Sequence, residues 1–218
     1  MTWEIEQKYL HVDFRNLRRA LKKHGACFDG AHLEQNIVFD TRDALLFEAG
    51  HLLRLRAQCR PDRKLYLLTL KLPPHAGKTL AGVREDFKIR EEREVNVADG
   101  TALSAILEGL GYTEKIFYEK LREVWSLGRV EVCLDELPFI KAVELEGAPD
   151  CIQRVARLLE LDKETASGKN YHEIHQEWRR RQGMPQERSF VFGGERRSQL
   201  QKKFGFAWEN GDGNTSGR

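Results

Sequence analysis

The chain has 218 residues, 40% of them hydrophobic, and its formal net charge is +2. This composition indicates one main folded domain with a sizeable core. No apolar run approaches the roughly 18 residues that cross a bilayer, which excludes a protein built from membrane-spanning helices. The charged N-terminal segment lacks the apolar stretch of a secretory signal, so a cytoplasmic location is expected. The widely spaced cysteines are interpreted as reduced thiols: Cys27, Cys59, Cys133 and Cys151.

Charged and apolar residues alternate at the start of the chain, so Glu4, Glu6 and Lys8 share one face of a predicted strand. Asp13 then caps a predicted helix that ends near Gly25. Further strands are predicted over residues 33–41, 51–59, 64–72, 83–97, 112–127, 129–135 and 139–146, and further helices over 99–110, 150–161 and 169–182. The loop over 73–82 is interpreted as a surface connection, with a lid over an anionic ligand as the alternative. Because hairpins dominate, the predicted class is α+β with a mainly antiparallel sheet of eight strands.

Pairs of polar side chains spaced by two residues return on five later stretches of the chain. If the strands pair in one sheet, these side chains and Asp135 form a single surface: Arg54 and Arg56, Thr69 and Lys71, Lys88, Arg90, Glu92 and Glu94, Lys120 and Arg122, and Glu144 and Glu146. The alternative is the solvated face of an ordinary antiparallel sheet, on which an ion pair contributes only about 0.2–1 kcal/mol. Ser, Asn and Gln are almost absent from these positions, which favours a functional surface.

Residues 183–218 differ in character from the domain predicted over residues 1–182. Basic and aromatic side chains interleave here, as in Arg188, Phe190 and Phe192, which is typical of a contact with nucleic acid or an acidic partner. Gly193, Gly194 and the glycine-containing end of the chain favour the other interpretation, a flexible tail without a defined partner. The flexible tail is the preferred prediction.

The stretch Glu4-Ile5-Glu6-Gln7-Lys8 resembles the N-terminal Glu-x-Glu-x-Lys signature of the CYTH superfamily, also called triphosphate tunnel metalloenzymes. Further stretches resemble later family motifs in the same order: Asn36 to Thr41, Leu53 to Arg56, Thr69 to Lys71, Arg90 to Glu94, Glu119 to Glu123, Leu134-Asp135, and Glu144 to Glu146. The resemblance spans about residues 2–178. It implies an eight-stranded antiparallel β-barrel with flanking helices, in which the charged faces line a tunnel.

The same resemblance implies roles for individual residues. Acidic groups would hold Mg²⁺ or Mn²⁺, with Glu4, Glu6, Glu144 and Glu146 as the family's metal-side acids and Glu92, Glu94 and Asp135 as further metal candidates. Basic groups would bind phosphate: Lys8, Arg54, Arg56, Lys71, Lys88, Arg90, Lys120 and Arg122. Asn170-Tyr171 stands where many members have Ser-Tyr, so Lys169 and Tyr171 are expected at one tunnel mouth and join Glu4, Glu6 and Lys8 as catalytic candidates. Lys141 and Val143 depart from the family's glycine and aromatic residue before the last acidic pair.

The function implied is that of a divalent-metal-dependent phosphohydrolase acting on tripolyphosphate or on nucleoside or thiamine triphosphate. A class IV adenylyl cyclase uses the same groups and is the first alternative. A polyphosphate- or nucleotide-binding module without catalysis is the second. Besides the small triphosphate, no membrane partner is expected, nucleic acid contact through the tail is disfavoured, and a homodimer is left open.

Overall fold

The structure is a computed structural model that describes residues 2–73 and 87–204. The strands are β1 (Thr2–Leu10), β2 (Cys27–Thr41), β3 (Leu52–Cys59), β4 (Lys64–Leu72), β5 (Lys88–Val97), β6 (Tyr112–Leu127), β7 (Val130–Glu136), β8 (Lys141–Glu146) and β9 (Ala166–Ser167). The helices are α1 (Phe14–Lys23), α2 (Leu45–Glu48), α3 (Gly100–Gly109), α4 (Pro149–Leu158), α5 (Tyr171–Arg181) and α6 (Gly194–Phe204). None of the helices within these two ranges is long and apolar enough to cross a bilayer.

Eight antiparallel strands form a closed barrel, as predicted. The strands follow the order β5, β4, β3, β2, β6, β7, β8 and β1, and β1 returns to pair with β5. Closure is seen in the register of β1, where Lys8 lies opposite Glu144 on β8 and Glu4 lies opposite Arg90 on β5. The two-residue strand β9 is an addition to this scheme and pairs with Lys8 and Tyr9, near the C-terminal end of β1. A closed ring places β2 across the interior from β1.

The apolar core lies outside the barrel wall, between the strands and the helices. Residues that alternate with the charged set on β1, β7 and β8 pack against α1 and α4, including Tyr9, Val132 and Leu145. Helix α1 begins where the sequence predicts, because the Asp13 carboxylate accepts hydrogen bonds from the N–H groups of Arg15 and Asn16. Burying the apolar face outward leaves the polar face of each strand directed into the barrel.

Residues 183–188 are exposed, but residues 190–204 are packed on the barrel, which differs from the flexible tail predicted from residue 183. Phe190 joins β6 through backbone hydrogen bonds, from Glu119 N–H to its carbonyl at 2.9 Å and from its own N–H to the Phe117 carbonyl. Phe190, Phe192 and the α6 residues Leu200 and Phe204 are buried. Burial of these large apolar groups offsets the entropy lost by ordering the segment. Residues 205–218, and the predicted loop from residue 74 onward, lie outside the described residues.

Candidate active site in the barrel interior

A cavity of about 550 Å³ occupies the barrel interior. Its lining brings together most of the site residues predicted from the sequence: Glu4, Glu6, Lys8, Arg54, Arg56, Lys71, Lys88, Glu92, Glu94, Lys120, Arg122, Glu144, Glu146 and Tyr171. These side chains come from seven different segments of the chain, so the closed sheet is what assembles them. These residues therefore line the interior of a closed barrel and do not form the solvated face of an ordinary antiparallel sheet.

The wall formed by β1 and β8 carries a buried network of carboxylates and ammonium groups. Lys8 Nζ binds Glu6 and lies 3.3 Å from Glu144 Oε1, and Lys88 Nζ lies 2.8 Å from Glu6 Oε1. Burial acts to raise the pKa of Glu6, but Lys8 and Lys88 outweigh it and hold that pKa well below its usual value. For Lys8, burial is likewise outweighed, and Glu6 and Glu144 raise its pKa. Both partners are thus held in their charged forms.

Negative charge is in excess where this wall meets solvent. Lys71 Nζ binds Glu4 and lies 3.4 Å from Glu92 Oε2. Glu146 is exposed at the rim, yet partial burial of its carboxyl, together with Glu4, Glu131 and Glu6, raises its pKa to about 7. The carboxylates at this rim repel one another, and a bound cation would relieve the repulsion.

A second wall, formed by β3, β2 and β6, carries the cations Arg54, Arg56, Lys120 and Arg122 on its two outer strands. Arg122 donates to both oxygens of Asp135, from Nε at 2.7 Å and from Nη2 at 2.6 Å, and also pairs with Glu144. Burial of the Arg122 guanidinium is outweighed by Asp135, so its pKa is raised well above its usual value. Arg122 therefore stays positively charged in the buried interior.

Asp135 lies behind the cavity wall and is fully buried, which differs from its predicted place among the metal candidates. Besides Arg122, it accepts hydrogen bonds from Lys120 Nζ at 3.2 Å and from the Tyr171 hydroxyl at 2.8 Å. Donors already surround its oxygens, so it anchors three cavity side chains. The sequence predicts a carboxylate on this strand, β7, but it does not predict how deeply that carboxylate is buried.

Helix α5 brings residues from beyond the barrel strands into the cavity lining. A capping box between Asn170 and Glu173 fixes its first turn. This places Tyr171 in the lining, with its ring centroid 5.4 Å from Lys8 Nζ and 5.6 Å from Lys120 Nζ. Lys169 instead lies outside the cavity, exposed and paired with Glu177, so the structure does not bring it to the site.

Arg90 is also outside the cavity lining, although it lies opposite Glu4 in the pairing of β1 with β5. Conversely, the lining contains Glu34 and His32 of β2, neither of which was singled out from the sequence. Glu34 is fully buried and pairs with Arg56 and Lys120. A signal for these residues exists in the sequence, since His32, Glu34 and Asn36 have the same spacing of two as the predicted set.

The donor chemistry of the cavity fits a hard divalent cation. The groups at the acidic rim are carboxylate oxygens, which Mg²⁺ and Mn²⁺ prefer. Within residues 2–73 and 87–204, no three His, Cys, Asp or Glu side chains form a group able to hold a metal by themselves. Mg²⁺ often takes one or two carboxylates and completes its shell with water and substrate phosphates. The excess charge around Glu146 fits this mode of binding.

The sequence-family model of the CYTH domain matches residues 3–176 of this chain. The chain belongs to the CYTH domain family. A Methanocaldococcus jannaschii relative, provisionally named an adenylate cyclase, is 26% identical over 158 residues, covering 72% of this chain and 83% of the relative. Members of the CYTH family are typically enzymes, adenylyl-cyclase-like or triphosphatases, and the family is in general metal-dependent.

Solved structures share the CYTH fold with this chain. A Vibrio parahaemolyticus protein, also provisionally named an adenylate cyclase, has a TM-score of 0.68 at 19% identity and covers 80% of this chain and 98% of its own. A Hippeastrum protein has a TM-score of 0.57 at 17% identity and covers 86% of this chain and 100% of its own. That plant protein is provisionally called an adenylyl cyclase and is described as having a dominant triphosphatase activity.

Proposed function

We propose that this CYTH protein is a divalent-metal-dependent phosphohydrolase that cleaves tripolyphosphate or an organic triphosphate, such as a nucleoside or thiamine triphosphate. The observation that carries the proposal is a cavity of about 550 Å³ with carboxylates and cations on different strands. The cationic wall described above lies across from the wall of β1 and β8 that carries Glu4, Glu6, Glu144 and Glu146, which we call the acidic wall. A triphosphate needs neutralisation of three or four negative charges, and the metal that helps to neutralise them needs carboxylates. A cavity with only one sign of charge would serve only one of these needs.

The cationic wall is assigned to the phosphates. Arg54, Arg56 and Arg122 can each donate through more than one N–H, whereas Lys120 supplies a compact positive charge. Lys8, Lys71 and Lys88 add further cations to the lining, where they pair with Glu6 and Glu4. Asp135 positions Lys120, Arg122 and Tyr171 and has no direct role toward the metal.

The acidic wall is assigned to Mg²⁺ or Mn²⁺. One or two of Glu4, Glu6 and Glu146 are the proposed ligands, with Glu144, Glu92 and Glu94 in the same lining, and water and substrate phosphates would complete the shell. A bound divalent cation supplies Lewis-acid polarisation of a phosphoryl oxygen and neutralises charge that develops during phosphoryl transfer. The chain's own contribution is to orient the triphosphate between fixed charges and to keep the reacting phosphorus in a partly dehydrated interior.

The proposal is tested with purified protein, Mg²⁺ or Mn²⁺, and a panel of tripolyphosphate, thiamine triphosphate and nucleoside triphosphates. Phosphate release that depends on the metal and is abolished by a chelator is expected for at least one substrate. If no member of the panel yields phosphate with either metal, the proposal fails.

An adenylyl cyclase is the second candidate, and the names given to the Methanocaldococcus jannaschii and Vibrio parahaemolyticus proteins favour it. Both reactions use the same charges, and they differ in the phosphorus that is attacked. Incubation with ATP followed by chromatography separates them, because cyclization yields cyclic AMP and pyrophosphate whereas hydrolysis yields ADP and phosphate. A pure binding module is disfavoured, since buried carboxylates repel a triphosphate unless a metal bridges them. Tight metal-free triphosphate binding without turnover would support that module instead.

A further inference from the structure

Glu34 on β2 is a fully buried carboxylate set among the cations of the cavity. Its Oε1 lies 3.2 Å from Arg56 Nη1 and 3.9 Å from Arg122 Nε, and its Oε2 lies 3.5 Å from Lys120 Nζ. His32 Nε2 lies 3.1 Å from Oε1. Burial acts to raise the pKa of Glu34, but Arg56, Lys120 and Arg122 outweigh it and hold the pKa well below its usual value.

The position of Glu34 in the sheet explains why it reaches cations on both sides. Strand β2 lies between β3 and β6, with Asn36 paired to Arg56 on β3 and Glu34 itself paired to Lys120 on β6. Arg56 and Lys120 therefore come from strands that do not pair with each other, and their like charges repel. A carboxylate on the intervening strand can hold them in place.

We propose that Glu34 is a positioning residue that holds Arg56, Lys120 and Arg122 in the arrangement that binds the reacting phosphates. This inference rests on the proposed function. Arg56 is held at a second point, because its Nε donates to Asn36 Oδ1 at 3.0 Å. Arg122 is held at a second point by Asp135, so both guanidinium groups are fixed before a ligand arrives. Two anchors on each planar group restrict its orientation and keep its remaining N–H groups available to a ligand.

Other roles for Glu34 are less consistent with its surroundings. A metal ion at Glu34 would have to displace Arg56 from one carboxylate oxygen and Lys120 from the other, in a part of the lining where cations predominate. A direct substrate contact would set a carboxylate against a phosphate. A ground-state binding role therefore gains nothing from the negative charge, and removing it would strengthen attraction of the anion. The benefit lies in geometry, which affects the reacting complex more than the affinity.

Glu34→Gln keeps the shape of the side chain and removes its charge, so it should affect kcat and KM differently. We expect kcat to fall tenfold or more, while KM for tripolyphosphate stays the same or decreases. A tenfold or larger rise in KM, with or without a fall in kcat, overturns the proposal. Unchanged values of both constants also overturn it.

A matched control is Glu91→Gln on β5. Glu91 is also buried, at 2% exposure, but it pairs with Arg93 and lies outside the cavity lining. Loss of this carboxylate is expected to lower the melting temperature without changing kcat or KM. If Glu34→Gln does not fold, Glu34→Asp retains the charge and withdraws it by one methylene, and wild-type kcat in that variant overturns the proposal.

Binding without metal distinguishes failure of this inference from failure of the proposed function. Tripolyphosphate binding is measured by calorimetry, and the bound phosphorus atoms are followed by ³¹P NMR, in wild type and Glu34→Gln. We expect equal or tighter binding in the variant, with ³¹P shifts of the bound ligand that differ from wild type. Tenfold weaker binding, or identical shifts, counts against the positioning role even if the wild type hydrolyses none of the triphosphates tested.

Discussion

The buried carboxyl of Glu119 makes the free energy of unfolding of this protein fall as the pH rises from about 4.5 to about 7. Glu119 lies on the outer face of β6 with no exposed surface, where Gln35 Nε2 and the Phe192 N–H donate to it, each at 3.1 Å. Burial raises its pKa from 4.5 to about 7, and these two hydrogen bonds and Arg197 only partly oppose the shift. The folded protein therefore binds a proton that the unfolded chain releases near pH 4.5.

Because the folded state holds this proton to a higher pH than the unfolded state does, the free energy of unfolding falls as the pH rises. Below about pH 4.5 both states are protonated, so the favourable contribution of the neutral carboxyl is fully present. As the pH rises toward 7, the unfolded state loses the proton first, and the contribution is lost as the pH passes the folded pKa. A shift from 4.5 to about 7 corresponds to about 3 kcal/mol at full extent.

Glu119→Gln removes this titration and keeps the side-chain shape. Urea unfolding of wild type and variant between pH 5 and pH 8 measures the effect. Relative to the variant, the wild-type free energy of unfolding should fall by about 2–3 kcal/mol across this range. Glu48→Gln, at an exposed position on α2, is the control and should follow the wild type. If the curves of wild type and Glu119→Gln are parallel, residues 190–192 do not bury this carboxyl as described.

Glu6→Gln should lower the turnover of triphosphate by two orders of magnitude or more while circular dichroism stays unchanged, since each 1.36 kcal/mol of lost transition-state stabilisation is tenfold in rate. Wild-type activity in that variant would contradict the assignment of the acidic wall. Phe192→Ala should cost about 3–5 kcal/mol in urea unfolding through the cavity it leaves among Leu33, Leu200 and Phe204. Gly100→Ala should cost about 1–3 kcal/mol, because the added Cβ would lie 2.4 Å from the Tyr66 ring; an unchanged melting temperature would show that Tyr66 moves freely.

The barrel and most of its lining could be predicted because a strand has a strict period of two. Once Glu4 is placed inside, Glu6 and Lys8 must follow, and the same holds for Arg54 with Arg56 and for the later pairs. Closure was not contained in this pattern and came from the family resemblance. The pairing of β1 with β5 supports it in the structure.

The spacing of residues in the sequence could not predict how deeply a side chain is buried in the barrel wall, or where a side chain outside the strands points. Asp135 and Glu144 lie on neighbouring strands with the same alternation, yet Asp135 has no exposed surface and lies behind the wall. Lys169 precedes the capped start of α5, where its long side chain pairs with Glu177 on the outside of the helix. Both outcomes depend on how separate segments pack, which a local pattern does not contain.

In the C-terminal segment, the polar average composition predicts a flexible tail although a short apolar strand pattern is present. Phe190 and Phe192 are spaced by two, as in a strand, but basic residues and the pair Gly193-Gly194 surround them. Burial of each large ring contributes on the order of 2–3 kcal/mol, which is enough to hold a short extended segment on β6. Two well-placed aromatic residues thus outweigh a polar average composition.

The ion pairs in the cavity allow charged groups to be buried before any ligand is bound. Lys8 is neutralised by Glu6 and Glu144, and Lys71 by Glu4 and Glu92. A triphosphate that forms ion pairs with these ammonium groups leaves their carboxylates without a partner, and burying an unpaired charge costs free energy. A divalent cation that binds the carboxylates likewise leaves the buried ammonium groups without a partner. The metal therefore neutralises the carboxylates that a bound triphosphate leaves unpaired, and the triphosphate neutralises the ammonium groups that a bound metal leaves unpaired. Metal and triphosphate should bind this cavity with positive coupling, each raising the affinity for the other by the same factor.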